Sequence, residues 1–357
     1  SLGFDPAFAM MDPRCFDVAI FIYFIQNFMT YIGIDVSKDS FVVAYSPEKA
    51  CKTKTFKNTV KGIHKFIQTL SKDENHCVLE ATGNYSALLV YLLSEAGIVT
   101  SVENPLKVKN FAKAMLSVIK TDEIDARLIA LYGERMQPKP YTMPSKELLT
   151  LKQKRTVIRQ LKKQLVANQN LRGSLEVLPF FDSDCKSAID KTIVFLEKQL
   201  KKLERDLFDT ASKEYKRQME LLTSIKGIGA TLAAALIITT GGFTYFSNAK
   251  QLTRYLGLSP TYQQSGTSVH IRGHINHNGD PTLRGQLYIG ALTALRSNTE
   301  CRACYNRLKE NGKPGKVAVV AVANKLIRQA FAVVTQGVPY EDGHVSKLNS
   351  ASANVTA

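Results

Sequence analysis

Acidic residues are in short supply in this chain: 31 Asp and Glu stand against 47 Lys and Arg, a formal net charge of +16 over 357 residues. An imbalance of that size points to a polyanionic partner, with nucleic acid ahead of an acidic membrane surface. Cysteine is scarce too. The six cysteines form no regular framework beyond Cys301-Arg-Ala-Cys304, which argues against a disulfide-stapled secreted domain and for reduced thiols in a cytosol. That pair lacks the second set of ligands a structural zinc site needs, and on a helix it reads as packing. The N-terminal region has no long apolar run. Val18–Ile25 is too short to span a bilayer, is followed by Gln26 and Asn27, and has neither the basic lead nor the small-residue cleavage site of a signal peptide.

What is present is a series of elements that end on carboxylates. Tyr31–Lys38 reads as a strand: Ile32, Ile34 and Val36 recur at a period of two and can be buried, while Tyr31, Gly33 and Asp35 share the other face. His76–Glu80 is a second apolar run closing on an acid, followed by the turn signal Ala81-Thr-Gly-Asn84. In Lys120–Arg127 the i, i+3 spacing at a helix start puts Asp122 and Asp125 on one face and directs Glu123 elsewhere. Each acid alone has an ordinary reading: Asp35 as a turn cap with Ser37, Glu80 as a solvated strand end, Asp122 as a helix N-cap. Together they have the makeup of a site for the Mg²⁺ pair of phosphoryl transfer, which one carboxylate holds only weakly. Around them the pattern predicts strands over 39–46 and 52–57, a helix over 59–70 burying Val60, Ile63, Phe66 and Ile67, a helix over 85–96 and a strand over 98–102.

Residues 144–220 change character. Leu151, Ile158, Leu161 and Leu165 mark one apolar seam, and Ile189, Ile193, Leu196, Leu200, Leu203 and Leu207 another. This predicts two long helices, broken near Gly173 and Pro179 and packed as an antiparallel coiled coil. Between Pro144 and Arg172 the cations Lys146, Lys152, Lys154, Arg155, Arg159, Lys162, Lys163 and Arg172 stand against the single acid Glu147. Along roughly 40 Å of helix, so one-sided a run reads as a track for a phosphate backbone, with a merely solvated face as the alternative. Further on, Lys226-Gly-Ile-Gly229 fits two roles equally: a turn whose N–H groups meet phosphate, or a plain tight turn between helices. His270, His274 and His277 fall in a Gly/Asn-rich loop, which favours phosphate or structural contacts over a metal site. Gly315–Val334 is an apolar helix closing a core.

Gly33-Ile-Asp-Val-Ser-Lys38, Glu80-Ala-Thr-Gly83 and Thr121-Asp-Glu-Ile-Asp-Ala126 resemble the DEDD motifs of bacterial insertion-sequence transposases related to the Piv site-specific invertase, a family whose RNA-guided members are called bridge-RNA recombinases. The resemblance runs from about Tyr31 to about Gly337. Tyr255–Pro260 resembles a pattern the family also carries, and Ser265-Gly266, Gly273–Asp280 and Leu283-Arg284 after it resemble the family's second signature, in the family's order. One departure is that the family commonly has Lys or Arg just before the loop glycine, where His277 and Asn278 stand here.

The resemblance implies an α/β ribonuclease-H-like (RuvC-like) domain over 31–143. A helical coiled-coil insert over 144–220 would follow, then a mainly α C-terminal domain over 221–338 with a helix-hairpin-helix-like element. Sugar kinases and actin-like ATPases also open on Gly-Ile-Asp, but the Gly-rich phosphate loops they need are missing from 31–143. Residues 1–30 read as a non-native or disordered extension, with Met29 as the start the family pattern suggests, and 339–357 as a disordered tail.

The implied activity is that of a DNA transposase or recombinase. Asp35, Glu80, Asp122 and Asp125 would hold Mg²⁺, and Ser265 would be the nucleophile. Lys154, Arg155, Arg159, Lys162, Lys163, Lys226, Gly227, Gly229, Arg272 and Arg284 would contact nucleic acid. The implied partners are DNA (element ends and target), a structured noncoding guide RNA and further copies of the chain in a homodimer or homotetramer, with no membrane, in the bacterial cytoplasm at the nucleoid. Two other classes fit the residues: a metal-dependent junction endonuclease that activates water, and a non-catalytic nucleic-acid-binding protein.

Overall fold

The computed structural model of the chain describes residues 29–48, 52–81, 83–116, 121–265, 269–275 and 279–343. The extension expected over 1–30 lies almost wholly outside them, as does most of the tail expected over 339–357. The chain divides into two compact units, one ending at Met143 and the other beginning at Pro144.

In the first unit β1 (Thr30–Val36), β2 (Ser40–Ala44) and β3 (Lys54–Lys57) form an antiparallel meander. Strands β4 (Asn75–Glu80) and β5 (Val99–Glu103) add parallel pairs, giving the order β3-β2-β1-β4-β5. Alternation along each strand decides which side chain meets which helix layer. Ile32, Ile34, Val36, Phe41, Val43, Cys77 and Leu79 are buried on one face with Ile63 and Phe66 of α1 (Val60–Ile67) and Leu89, Val90 and Leu93 of α2 (Ala87–Glu95). Val42, Ala44 and Val78 face the other way, against Val108 of α3 (Pro105–Ala114) and Ala126, Ile129, Ala130 and Tyr132 of α4 (Asp122–Met136).

Two details of this unit's helices differ from the sequence expectations. Helix α3 was not foreseen, although Asn104-Pro105 is a readable start: the Asn104 side chain accepts the Leu106 N–H, and proline occupies the first turn, where its missing N–H costs nothing. Val60, expected on the buried face of α1, is 50% exposed. It directly follows the N-cap Thr59, and the buried stripe begins a turn later at Ile63.

The second unit opens with a helical hairpin of α5 (Lys146–Glu176) and α6 (Ser183–Glu214). Arg172 pairs with Asp190, Lys162 with Glu204, and Lys154 donates to Thr210, so numbers rise along one helix as they fall along the other and the pair is antiparallel. Ile158, Leu196 and Leu200 are buried along the seam, and the other expected seam positions beyond Leu151 are partly sheltered. Gly173 does not break α5, which runs through it to Glu176; the reversal comes at 177–182, where Pro179 stands.

The rest of the unit is α7 (Lys216–Ser224), α8 (Ala230–Thr240), α9 (Ala249–Tyr255), the antiparallel hairpin β6 (Pro260–Ser265) and β7 (Val269–Ile275), α10 (Pro281–Ser297), α11 (Thr299–Glu310) and α12 (Gly315–Gln336). Helix α12 is long and apolar enough to cross a membrane. Here its Val322, Leu326, Ile327 and Ala330 are buried in one core with α8 and α10, the packing that satisfies such a stripe in water. Leu151 joins the same core, so the beginning of α5 belongs to this packed body. The chain is still anchored just past Pro339: the Tyr340 N–H donates to Ser224 Oγ at 2.8 Å, and Asp342 accepts from the Thr299 N–H and hydroxyl at 3.0 and 2.7 Å.

Candidate active site

Gly33 decides how deeply α4 sits on the sheet. A Cβ at this position would stand 2.0 Å from Ala126 O and 2.3 Å from Ala130 N, so only glycine lets the helix backbone rest on the strand. Gly133 does the same one stretch along, where a Cβ would be 2.9 Å from both Tyr31 Cδ1 and Val78 Cγ2. The two contacts set direction. With Gly133 over Tyr31 and Ala126 and Ala130 over Gly33, α4 runs antiparallel to β1. Two strand residues advance about 6.6 Å, and four to five helix residues cover the same distance. Asp35, two positions beyond Gly33 on the same face, is therefore level with the first turn of α4, where Asp122 and Asp125 lie.

Glu80 arrives from the neighbouring strand. The last rung of the parallel β1–β4 pair is Ile34 with Leu79, so Asp35 and Glu80 are the next step on adjacent strands. Val78 packs with α4, and Glu80, two residues on, shares that face. The start of α4 is capped by Thr121, whose Oγ1 accepts the Ile124 N–H at 3.3 Å. Asp122 is consequently not the cap: it is exposed in the first turn, with Asp125 partly buried beside it, both at the positive end of the helix dipole. The turn after β1 is closed by Ser37, whose N–H and hydroxyl donate to Ser40 O at 2.9 and 2.7 Å.

A further acid escaped the sequence reading. Glu103 lies opposite Glu80 on β5, is buried, and accepts from Lys107 Nζ at 2.8 Å and Tyr132 Oη at 3.3 Å. The strand expected over 98–102 stopped one residue short of it, although an apolar run closing on an acid is the signal that marked Glu80. The hydrogen bond to Glu103 is the largest influence on Lys107 and holds its ammonium above the usual lysine pKa. Burial, reinforced by the Glu103 charge, raises Tyr132. Among the described residues no three His, Cys, Asp or Glu side chains stand close enough together to hold a metal ion. Asp35, Glu80, Asp122 and Asp125 are oxygen donors of the kind Mg²⁺ takes, brought to one edge by the backbone without forming an ion cage.

The basic candidates of the second unit have several fates. Lys154 turns towards α6, donating to Asp206 O and Thr210 Oγ1, both at 3.3 Å. Arg155 donates to Thr239 Oγ1 at 2.7 Å and to Asp280 Oδ2 at 2.8 Å. Lys162 pairs with Glu204 at 2.6 Å. Arg159 and Lys163 are exposed, with no hydrogen bond or ion pair among the described residues. A linear count of cations does not separate these cases, because the side of α5 that meets α6 and α8 is chosen by packing.

In the Lys226–Gly229 turn the two glycines do different things. Gly227 has φ +110°, and a Cβ on it would stand 2.6 Å from Ala294 Cβ and 2.8 Å from Gly290 O, so it lets the turn pack on α10. Gly229 is the N-cap of α8, with no side-chain cap and open space where a Cβ would go. The first N–H groups of α8 thus border a cleft of about 750 Å³, lined by Lys226, Gly229, Thr231, Gln286 and Thr293 among others. Arg284, in the first turn of α10, has a buried Nη1 without a hydrogen-bond partner among the described residues.

Ser265 is the last residue of β6, opposite Val269, and so occupies the end of a hairpin strand rather than an irregular loop. Gly273–Ile275, expected in a loop, are in β7. The backbone of 261–265 and 269–274 is described and the side chains are not, so the contacts of Ser265 and Arg272 lie outside the described part, as do residues 266–268 and 276–278 with His277 and Asn278.

Two family models match the chain: one described as a transposase, of the DEDD IS110 type, over residues 32–178, and one described as a transposase of the IS116/IS110/IS902 family, over 219–306. The chain is 29% identical over 323 residues to the pilin gene-inverting protein of Moraxella bovis, covering 87% of this chain and 98% of that one. The pilin gene-inverting protein of Moraxella lacunata gives the same figures. Over 345 residues it is 23% identical to the transposase for insertion sequence element IS1111A of Coxiella burnetii, covering 87% of this chain and 91% of that one. A mixed α/β unit followed by a mostly helical one, with these matches, defines an enzyme acting on DNA. The chain belongs to the IS110 family of insertion-sequence transposases.

Proposed function

We propose that the chain recombines DNA, transposing or inverting a segment, by Mg²⁺-assisted attack of the Ser265 hydroxyl on a phosphodiester. The observation that carries the metal half is the edge where Asp35, Glu80 and the first turn of α4 come level, set by strand register and by the close approach at Gly33 and Gly133. The order β3-β2-β1-β4-β5, a meander continued by two parallel strands, supports the ribonuclease-H-like reading of 31–143. The antiparallel, partly buried seam between α5 and α6 supports the coiled-coil reading of 144–220.

Mg²⁺ held by Asp35, Glu80, Asp122 and Asp125 would neutralise charge at the phosphate and lower the barrier to deprotonating a serine hydroxyl. In the proposed step the Ser265 Oγ–P bond forms, the bond from phosphorus to one deoxyribose oxygen breaks, and that sugar leaves as a hydroxyl carrying a proton. The phosphodiester is conserved in the serine linkage, so a second sugar hydroxyl can reverse the attack and rejoin the DNA without an external energy source. Exposed Arg159 and Lys163, with Lys226 and the amides of α8, supply contacts for the nucleic-acid backbone. A structured noncoding guide RNA, assembly as a homodimer or homotetramer, and a place in the bacterial cytoplasm rest on the family resemblance.

The test uses protein purified from cells carrying the gene with its flanking DNA, and a plasmid bearing the same flanks as substrate. Glu80→Ala and Asp122→Ala are expected to bind DNA and fail to cut it; either variant cutting at the parent rate with Mg²⁺ removes the metal assignment. Ser265→Ala is expected to lose both cleavage and a denaturant-stable protein–DNA adduct, while Ser268→Ala keeps them. Cutting by Ser265→Ala, with no adduct formed by the parent, would make water the nucleophile and the protein a junction-type endonuclease.

A further inference from the structure

We propose that Arg155 is a positioning residue for the Ser265 hairpin, acting through Asp280 rather than through a phosphate; this rests on the reading of Ser265 as nucleophile. Arg155 divides its guanidinium between two partners: Nη1 donates to Thr239 of α8 at 2.7 Å, and Nη2 to Asp280, the N-cap of α10, at 2.8 Å. The Arg155 and Asp280 side chains are each 24% exposed, which leaves little of the guanidinium for a ligand. Asp280 uses its other oxygen to cap α10, accepting the Thr282 N–H at 2.9 Å. One carboxylate thus joins α5 to the start of α10.

That carboxylate stands at the root of the hairpin. The root is closed by the pairing of Pro260 with Ile275, and the chain runs from Ile275 to Asp280 in five residues. Gly279, beside Asp280, has φ +133°, and a Cβ there would be 2.7 Å from Tyr255 O and 3.0 Å from Leu256 C. Backbone therefore packs directly on the end of α9, from which the other arm leaves towards Pro260. That arm is held from α12 by Asn324 Nδ2, which donates to Leu258 O at 3.3 Å. Gly279 and Leu258 are thus held beside the root, and among the described residues Arg155 ties Asp280 to α5. A serine carried at the far end of such a hairpin magnifies any tilt at the root, and in-line attack tolerates little displacement.

The experiment compares the parent with Arg155→Gln, Arg155→Lys and Asp280→Asn, as full chains purified and assayed on the same flanking-DNA plasmid. Affinity and its salt dependence are read separately from the single-turnover rate of adduct formation at saturating DNA. Affinity within about twofold of the parent, an unchanged salt slope and an adduct rate lowered about 10- to 100-fold are expected. Arg155→Lys keeps the charge and most of the packing and guards against simple unfolding: with a thermal melt like the parent's, it should still be slow, because one ammonium cannot hold both partners in the guanidinium's fork. Parent rates in the folded Arg155 variants would overturn the proposal, and a salt slope reduced by about one alongside them would return Arg155 to a phosphate contact. A parent that forms no adduct would instead remove the serine reading, and this proposal with it.

Discussion

Replacing Gly33 by alanine tests the geometry on which the acid edge depends. Ordinary contact begins at 3.4 Å and the new Cβ would be 2.0 Å from Ala126 O, so strand and helix must part by about 1.4 Å. Neither side yields easily: the obstacles are backbone atoms of Ala126 and Ala130, not the end of a flexible side chain. The cluster of Val42, Ala44, Ala126 and Ala130 would open, and the first turn of α4 would lift from Asp35. Overpacking of this kind costs about 1–3 kcal/mol, and a backbone clash belongs at the upper end, about 3 kcal/mol. Urea unfolding of the full chain, followed by hydrogen exchange at β1 and β4 amides so that the first unit is read separately, measures it. Mg²⁺-dependent cleavage measured alongside should fall further than stability predicts, because the acids move apart. Exchange protection within about 0.5 kcal/mol of the parent together with unchanged cleavage would refute the argument that glycine sets the depth of α4.

Gly173→Ala, the same chemical change on the exposed surface of α5 where a Cβ meets nothing within 4 Å, should instead stabilise by about 0.5–1 kcal/mol in the same unfolding assay. His76 is buried, its Nε2 2.8 Å from Ser101 Oγ, and burial lowers its pKa from 6.5 to about 4. Between those values the unfolded chain takes up a proton that the folded chain refuses. This contribution is therefore complete above about pH 6.5 and is lost as pH falls towards 4, on the order of 3 kcal/mol in all. His76→Asn should flatten that part of the stability–pH curve, and an equally steep curve would remove His76 as its source. Changing both Arg159 and Lys163 to Gln should reduce the slope of log affinity against log salt by about 2, at roughly 0.9 per phosphate contact, while Lys162→Gln, whose ammonium already pairs with Glu204, should change it less.

Local pattern was enough for much of this protein. The period-two run at Ile32, Ile34 and Val36 and the i, i+3 acids at a helix start are properties of neighbouring residues, so they could be read from the chain, as could the apolar seams of α5 and α6 and the mixed α/β to mostly helical progression. What tertiary structure alone decided is the set of relations between distant segments. The register of β1 on β4 puts Asp35 beside Glu80, and a strand's residues carry no mark of which neighbour they will pair with. Gly33 and Gly133 are ordinary glycines in the sequence. Only the packed helix shows that each is the place where a Cβ would collide, and hence that α4 descends onto the acid edge. Among the cations of α5 the sequence shows one-sidedness and no more. Lys154 and Lys162 turn to α6 and Arg155 reaches Asp280, 125 residues away, because burying one face of a helix chooses partners for whatever charges that face carries.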